Sequence, residues 1–181
     1  MNRRALLLLP LLAACERMTV EPVAELPPSL DRGAGDPARF ASESAAHAFL
    51  DREAALRGDG AGAAFAAAMV ENVATAFQHG GRYADGPWVT RLLREGRTAL
   101  RLAIGIDPAI GPQQAQDALL AASDALRRND TAAAAAALRP VAMRGADPVA
   151  ALGTLETPPA LRRALRETRT MLNRGAGAGQ P

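Results

Sequence analysis

The feature that most restricts this chain is a recurring dipeptide in which proline follows a residue able to cap a helix or a turn. It occurs as Asp36-Pro37, Gly86-Pro87, Asp107-Pro108, Gly111-Pro112, Asp147-Pro148 and Thr157-Pro158. At the first position of a helix a proline has no amide hydrogen to lose, and its ring presets φ. An Asp or Thr just before it accepts the orphan amide hydrogens of the first turn. A chain punctuated in this way has helix starts fixed by covalent structure. The segments between the marks are rich in alanine, roughly a quarter of all residues, while aromatic residues make up 3%. Alanine is the strongest helix former, and the residues that favour strands are few.

The spacing predicts helices over 37–57, 61–80, 87–104, 112–128, 131–139 and 158–173, with a short turn near 148–153. In the second, Phe65, Met69, Val73, Ala76, Phe77 and Gly80 share a face, with Glu71, Thr75 and Gln78 opposite. In the fourth, Ala115, Leu119, Ala122 and Leu126 form the stripe. In the last, Leu161, Leu165, Thr168 and Leu172 do so, and Arg162, Arg163, Arg166 and Arg169 point away. Such stripes need partner helices for burial. The expected fold is therefore all-α: a compact Ala-rich bundle of five to six helices over residues 37–174. Arg127-Arg128-Asn129-Asp130 breaks the fourth helix from the fifth and suits a helical hairpin. Ala118 to Leu138 has the outline of a tetratricopeptide-type hairpin. No second copy follows at a fixed period, so a repeat protein is not expected. The end of the chain, 175–181, reads as a disordered tail.

The N-terminus carries an address. Met1-Asn2-Arg3-Arg4 is a short basic stretch, and Ala5 to Ala14 is an unbroken apolar run. Ten residues rise about 15 Å as a helix, too little to span a bilayer but normal for the core of a signal peptide. The run closes on Leu12-Ala13-Ala14-Cys15, and Cys15 is the only cysteine, so no disulfide forms within the chain. This order resembles the lipobox of bacterial lipoproteins: a branched apolar residue, two small residues, then cysteine. The resemblance covers residues 1–15 alone. It implies removal of a signal peptide, residues 1–14, and acylation of Cys15, with a diacylglyceryl group and chains such as palmitate. Two or three acyl chains hold stably, since each buried methylene contributes about 0.8 kcal/mol. It further implies a periplasm-facing protein of the cell envelope, with the membrane as partner. Glu16, which is not the Asp that favours inner-membrane retention, mildly favours the outer membrane.

Cleavage also alters the charge. The chain has 21 Arg, no Lys and 19 acidic residues, and losing Arg3 and Arg4 leaves the two signs equal. The basic excess is a property of the discarded peptide, so no nucleic-acid partner is expected. After Cys15, residues 16–36 contain Pro22, Pro27, Pro28, Gly33 and Gly35 and show no amphipathic period. The segment 15–36 reads as lipidated Cys15 followed by a flexible tether, about 25 Å long as a coil and up to about 65 Å extended.

Candidate chemistry is sparse. Phe77 to Trp88 holds the only Tyr, the only Trp and one of two His residues. Phe77, His79, Arg82, Tyr83 and Trp88 could form a small-molecule site between helices, and otherwise they cap one end of the bundle. The structural role suits an interhelical connection better. Arg91, Arg94, Arg97 and Arg101 fall on one side of the third helix, opposite Leu93, Leu100 and Ala103. They could contact lipid headgroups or an acidic partner in the envelope, and the plainer reading is a solvated face. Glu43 and His47 stand four apart, too few to hold a metal. No nucleophile motif, Gly-rich phosphate loop or metal-ligand set is present. The expected role is a non-enzymatic protein-interaction or scaffold module without cofactor or metal, the alternative being a small-molecule-binding lipoprotein.

Overall fold

The computed structural model describes residues 20–31, 35–79 and 86–177. Signal peptide, lipobox and Cys15 lie outside the described residues, as do Arg82, Tyr83 and the last four residues of the expected tail.

The fold is all-α. Among the described residues the helices are α1 (Pro28–Asp31), α2 (Pro37–Ala46), α3 (Glu53–Leu56), α4 (Gly60–Ala76), α5 (Pro87–Ile104), α6 (Pro112–Arg127), α7 (Thr131–Leu138), α8 (Pro148–Gly153) and α9 (Pro159–Gly177). A five-residue π-turn, His47–Asp51, follows α2, and a 3-10 turn, Phe77–His79, closes α4. Among the described residues, extended pairing is confined to one isolated bridge, Ile106 with Ala142. The dipeptide marks act as expected at α2, α5, α6 and α8. Asp36 accepts from the Arg39 amide, and Asp147 from the Ala150 amide, each at 3.1 Å. Asp59 and Asp130 cap α4 and α7 in the same manner, each at 2.8 Å. Asp107-Pro108 makes a turn, its carboxylate accepting from the Ala109 amide.

Three boundaries differ from expectation. The helix foreseen over 37–57 is broken at the π-turn, where the Arg52 amide donates to His47 O. The carbonyl of Phe49 accepts instead from the Thr157 hydroxyl, and that tertiary bond takes the acceptor an unbroken α-helix would have used. The last helix runs on to Gly177, into residues expected as tail. The tether foreseen over 15–36 is corrected over residues 20–26. Residues 20–26 lie against the bundle, and Ala24 is fully buried.

α4 is the centre of the bundle, with α2, α5, α6 and α8 around it. Residues 60–79 are long and apolar enough to cross a membrane by length and composition, but 72% of that stretch is buried inside the protein. Its surroundings are alanine methyls and a few larger side chains: Phe49, Met69, Leu100, Ile104, Leu119 and Leu165 join one cluster. Small side chains let the axes approach closely. α5 crosses α9 closely at Gly96, where an added Cβ would stand 3.0 Å from Leu161 Cα and 3.2 Å from Ala164 Cβ. A second cluster, with Val73, Phe77, Val89 and Leu93, fills the end where α4 stops and α5 starts.

Candidate functional site

The polar residues of α4 do not face water. Glu71, Asn72 and Thr75 are buried, so the side of α4 opposite its apolar face is covered as well. Residues 20–26 cover them as an extended strap. The grip is mostly on the strap's backbone. The amide of Glu21 donates to Gln78, that of Ala24 to the Thr75 hydroxyl, and that of Glu25 to Gln113. In return Asn72 donates to Ala24 O at 2.7 Å, and Gln113 and Gln116 donate to Glu25 O. His79 Nε2 is 2.8 Å from Glu21 O, so it carries the proton there. One strap side chain is read specifically: the Glu21 carboxylate accepts from Arg97 Nη2 at 2.8 and 2.7 Å and from Gln78 Nε2 at 3.0 Å.

Beneath the strap runs a buried line of charge. The Arg101 fork meets Glu71 with two bonds of 2.7 Å and reaches Pro108 O and Ile110 O with its third nitrogen. Arg97 Nε stands 3.9 Å from Glu71 Oε2. Burial pushes the Glu71 carboxyl up, against the pull of Arg101 and Arg97. Burial also acts to raise Glu21, but hydrogen bonds from Gln78 and Arg97, with the charges of Arg97 and Arg94, hold it below the ordinary carboxylate value. These contacts order the strap and the 105–111 loop around one carboxylate. Two arginines face two carboxylates here, so the opposite charges offset one another and the cluster clamps the strap to the body.

The four arginines of α5 therefore do not make one solvated face. Arg97 and Arg101 are 6% and 2% exposed, and only Arg91 and Arg94 remain towards the outside. On α9 two of the four outward arginines are engaged as well, while Arg163 and Arg166 are exposed. Arg169 forks onto Asp51, and Arg162 onto Glu53. Of the aromatic group, Phe77 is a core residue, His79 holds the strap, and Trp88 is 46% exposed on the second residue of α5. Glu43 is bound to Arg39, while His47 sits 3.9 Å from Asp51, so that pair is drawn in opposite directions.

Sequence reasoning missed Glu21, Glu71, Asn72, Gln113 and Gln116. A usable signal was present: a row of polar residues on an otherwise apolar α4, and Gln113 and Gln116 three apart at the start of α6. It also missed an open groove of about 860 Å³ at the far end of α5. Ala54, Ala99, Leu102, Ala103, Pro158 and Pro159 supply its apolar lining, and Leu102 is 52% exposed. Two ion pairs border it, Arg57 with Glu156 at 3.6 Å and Arg162 with Glu53 at 2.8 Å. Glu53 also accepts from the Thr157 amide. The Arg162 hydrogen bonds, with help from Thr157, bring its carboxyl down to about 2.

No family model, curated protein or solved structure matches this chain.

Proposed function

We propose that this chain is a bacterial lipoprotein, exported and cleaved before Cys15, whose helical body works in the cell envelope through contact with a protein partner and not through catalysis. The observation that carries the anchor is the order Leu12-Ala13-Ala14-Cys15 closing an apolar run of signal-peptide length. Glu16 in place of Asp favours the outer membrane.

The contact half of the reading draws on the groove around Leu102, which has an apolar lining and a rim of paired charges. That is the composition of a protein-facing patch, apolar at the centre and polar at the edge. Arginine supports it less than the sequence suggested, because Arg97, Arg101, Arg162 and Arg169 are all occupied within the molecule. The small-molecule alternative near Phe77–Trp88 draws less support. Phe77 is packed in the core and Trp88 faces outward, so these two do not converge on a ligand.

The anchor is tested by growth with radiolabelled palmitate. The native chain takes up label and sediments with membranes, whereas Cys15→Ser stays unlabelled and retains residues 1–14. Equal labelling of the two sinks the reading. The contact is tested with a photo-crosslinker at position 103, beside the groove, and at position 121 on α6. A discrete adduct is expected at 103 alone, and Leu102→Glu is expected to remove it. Adducts indifferent to that change would count against a groove-bound partner.

A further inference from the structure

We infer that the end of the bundle from which the strap emerges rests on the bilayer, with Trp88 at the depth of the lipid headgroups. The inference rests on the lipid-anchor reading and deepens it by naming the face that meets the membrane.

Covalent reach comes first. The strap is fixed to the body at Glu21 by Arg97, Gln78 and His79. Between Cys15 and Val20 lie five peptide units, which span at most about 18 Å. An acylated Cys15 therefore holds this particular end of the bundle near the headgroups. The stand-off of up to about 65 Å that a free tether over 15–36 would allow is closed by the docking of residues 20–26.

The chemistry of that end agrees. Val20 is 59% exposed and Trp88 46%, and these are two of the three large hydrophobic residues exposed among the described residues. They belong to the same end: the Thr90 hydroxyl donates to Phe77 O, which seats the start of α5 beside the close of α4, and His79 joins the latter to Glu21. Arg91 lies one turn after Trp88, and Arg94 is near enough to lower the Glu21 carboxyl. The end of α9 arrives here too, Met171 against Gly86, and its last turn carries Arg174. Among the described residues, Glu21 is paired with Arg97, Glu43 with Arg39 and Glu95 with Arg91, and Asp36 caps α2. An exposed Trp flanked by arginine is the composition favoured at a membrane interface, where anionic headgroups attract the cations. Leu102, at the groove, lies about 21 Å further along α5 than Trp88, outside this end of the bundle.

Trp88 is the only tryptophan in the chain, so its fluorescence reports its own surroundings. The full chain, purified from membranes in its processed form, is reconstituted into vesicles of phosphatidylethanolamine and phosphatidylglycerol whose acyl chains are brominated near the headgroup. The expected result is loss of Trp88 emission relative to unbrominated vesicles. A variant with Trp88→Phe and Leu102→Trp should float with the same vesicles and keep its emission. A variant with a flexible Gly-Ser insert of about twenty residues between Cys15 and Val20 should also float, with weakened quenching. Full emission from vesicle-bound Trp88, or equal quenching at 88 and 102, overturns the inference and leaves the anchor standing. A full chain that carries no lipid and does not float overturns the anchor reading, and this inference with it.

Discussion

Glu71 and Arg101 show what one buried pair demands of the residues around it. Each is almost without exposure, and the two share a bidentate contact. Removing one partner strands the other charge away from water. Arg101→Met is expected to destabilise the protein by about 3–5 kcal/mol, and adding Glu71→Leu should recover much of that loss. Urea denaturation of the three proteins checks this. Glu53 gives the acid counterpart. Its carboxyl falls to about 2 in the folded protein from an ordinary 4.5, so the folded state binds this proton less readily than the unfolded one. The contribution is complete above pH 4.5 and is lost as pH falls towards 2. Thermal melts across that window should show a steeper loss for the native chain than for Glu53→Gln. At this scale the sequence was only partly legible. The four arginines of α5 had the right helical phase, but a phase says which residues share a side, not what lies against it. A segment 76 residues upstream of Arg97 supplied Glu21, and no local pattern announces such a partner.

Elements were read more surely, because their ends are written in local chemistry. The Asp-Pro and Gly-Pro marks and the Asp caps act within three residues of themselves, so α2, α5, α6 and α8 begin where the dipeptides place them. The π-turn at His47–Asp51 escaped because its cause is tertiary, the Thr157 hydroxyl on Phe49 O. The crossing of α5 on α9 likewise depends on a glycine that reads, in sequence, as a mild defect in a helix. Gly96→Ala would raise helix propensity by roughly 1 kcal/mol. The added carbon would meet the backbone of Leu161 at 3.0 Å, and backbone yields little. Overpacking of this kind costs about 1–3 kcal/mol, so a net loss of stability is expected, measurable as a lower denaturation midpoint at unchanged slope.

For the whole molecule, the bundle was foreseen and the strap was not, since a segment rich in Pro and Gly without a period looks the same whether it is free or docked through its backbone. Docking predicts a local stability of its own. In Glu21→Ala, hydrogen exchange at the Ala24 amide should quicken about tenfold or more, the equivalent of about 1.4 kcal/mol, while amides in α4 near Met69 change little. Parallel acceleration at both places would mean that the strap opens only with the bundle. The manner of its attachment has a mechanical consequence. A load entering at Val20 and directed away from the body does not strain all the strap's bonds together; it peels them in order. The bonds that Arg97, Gln78 and His79 make to Glu21 take the first share, and the clamps at Ala24 and Glu25 are reached only after those fail. Glu21 thus sets the yield point of the linkage, and each residue peeled beyond it pays out about 3.5 Å of slack.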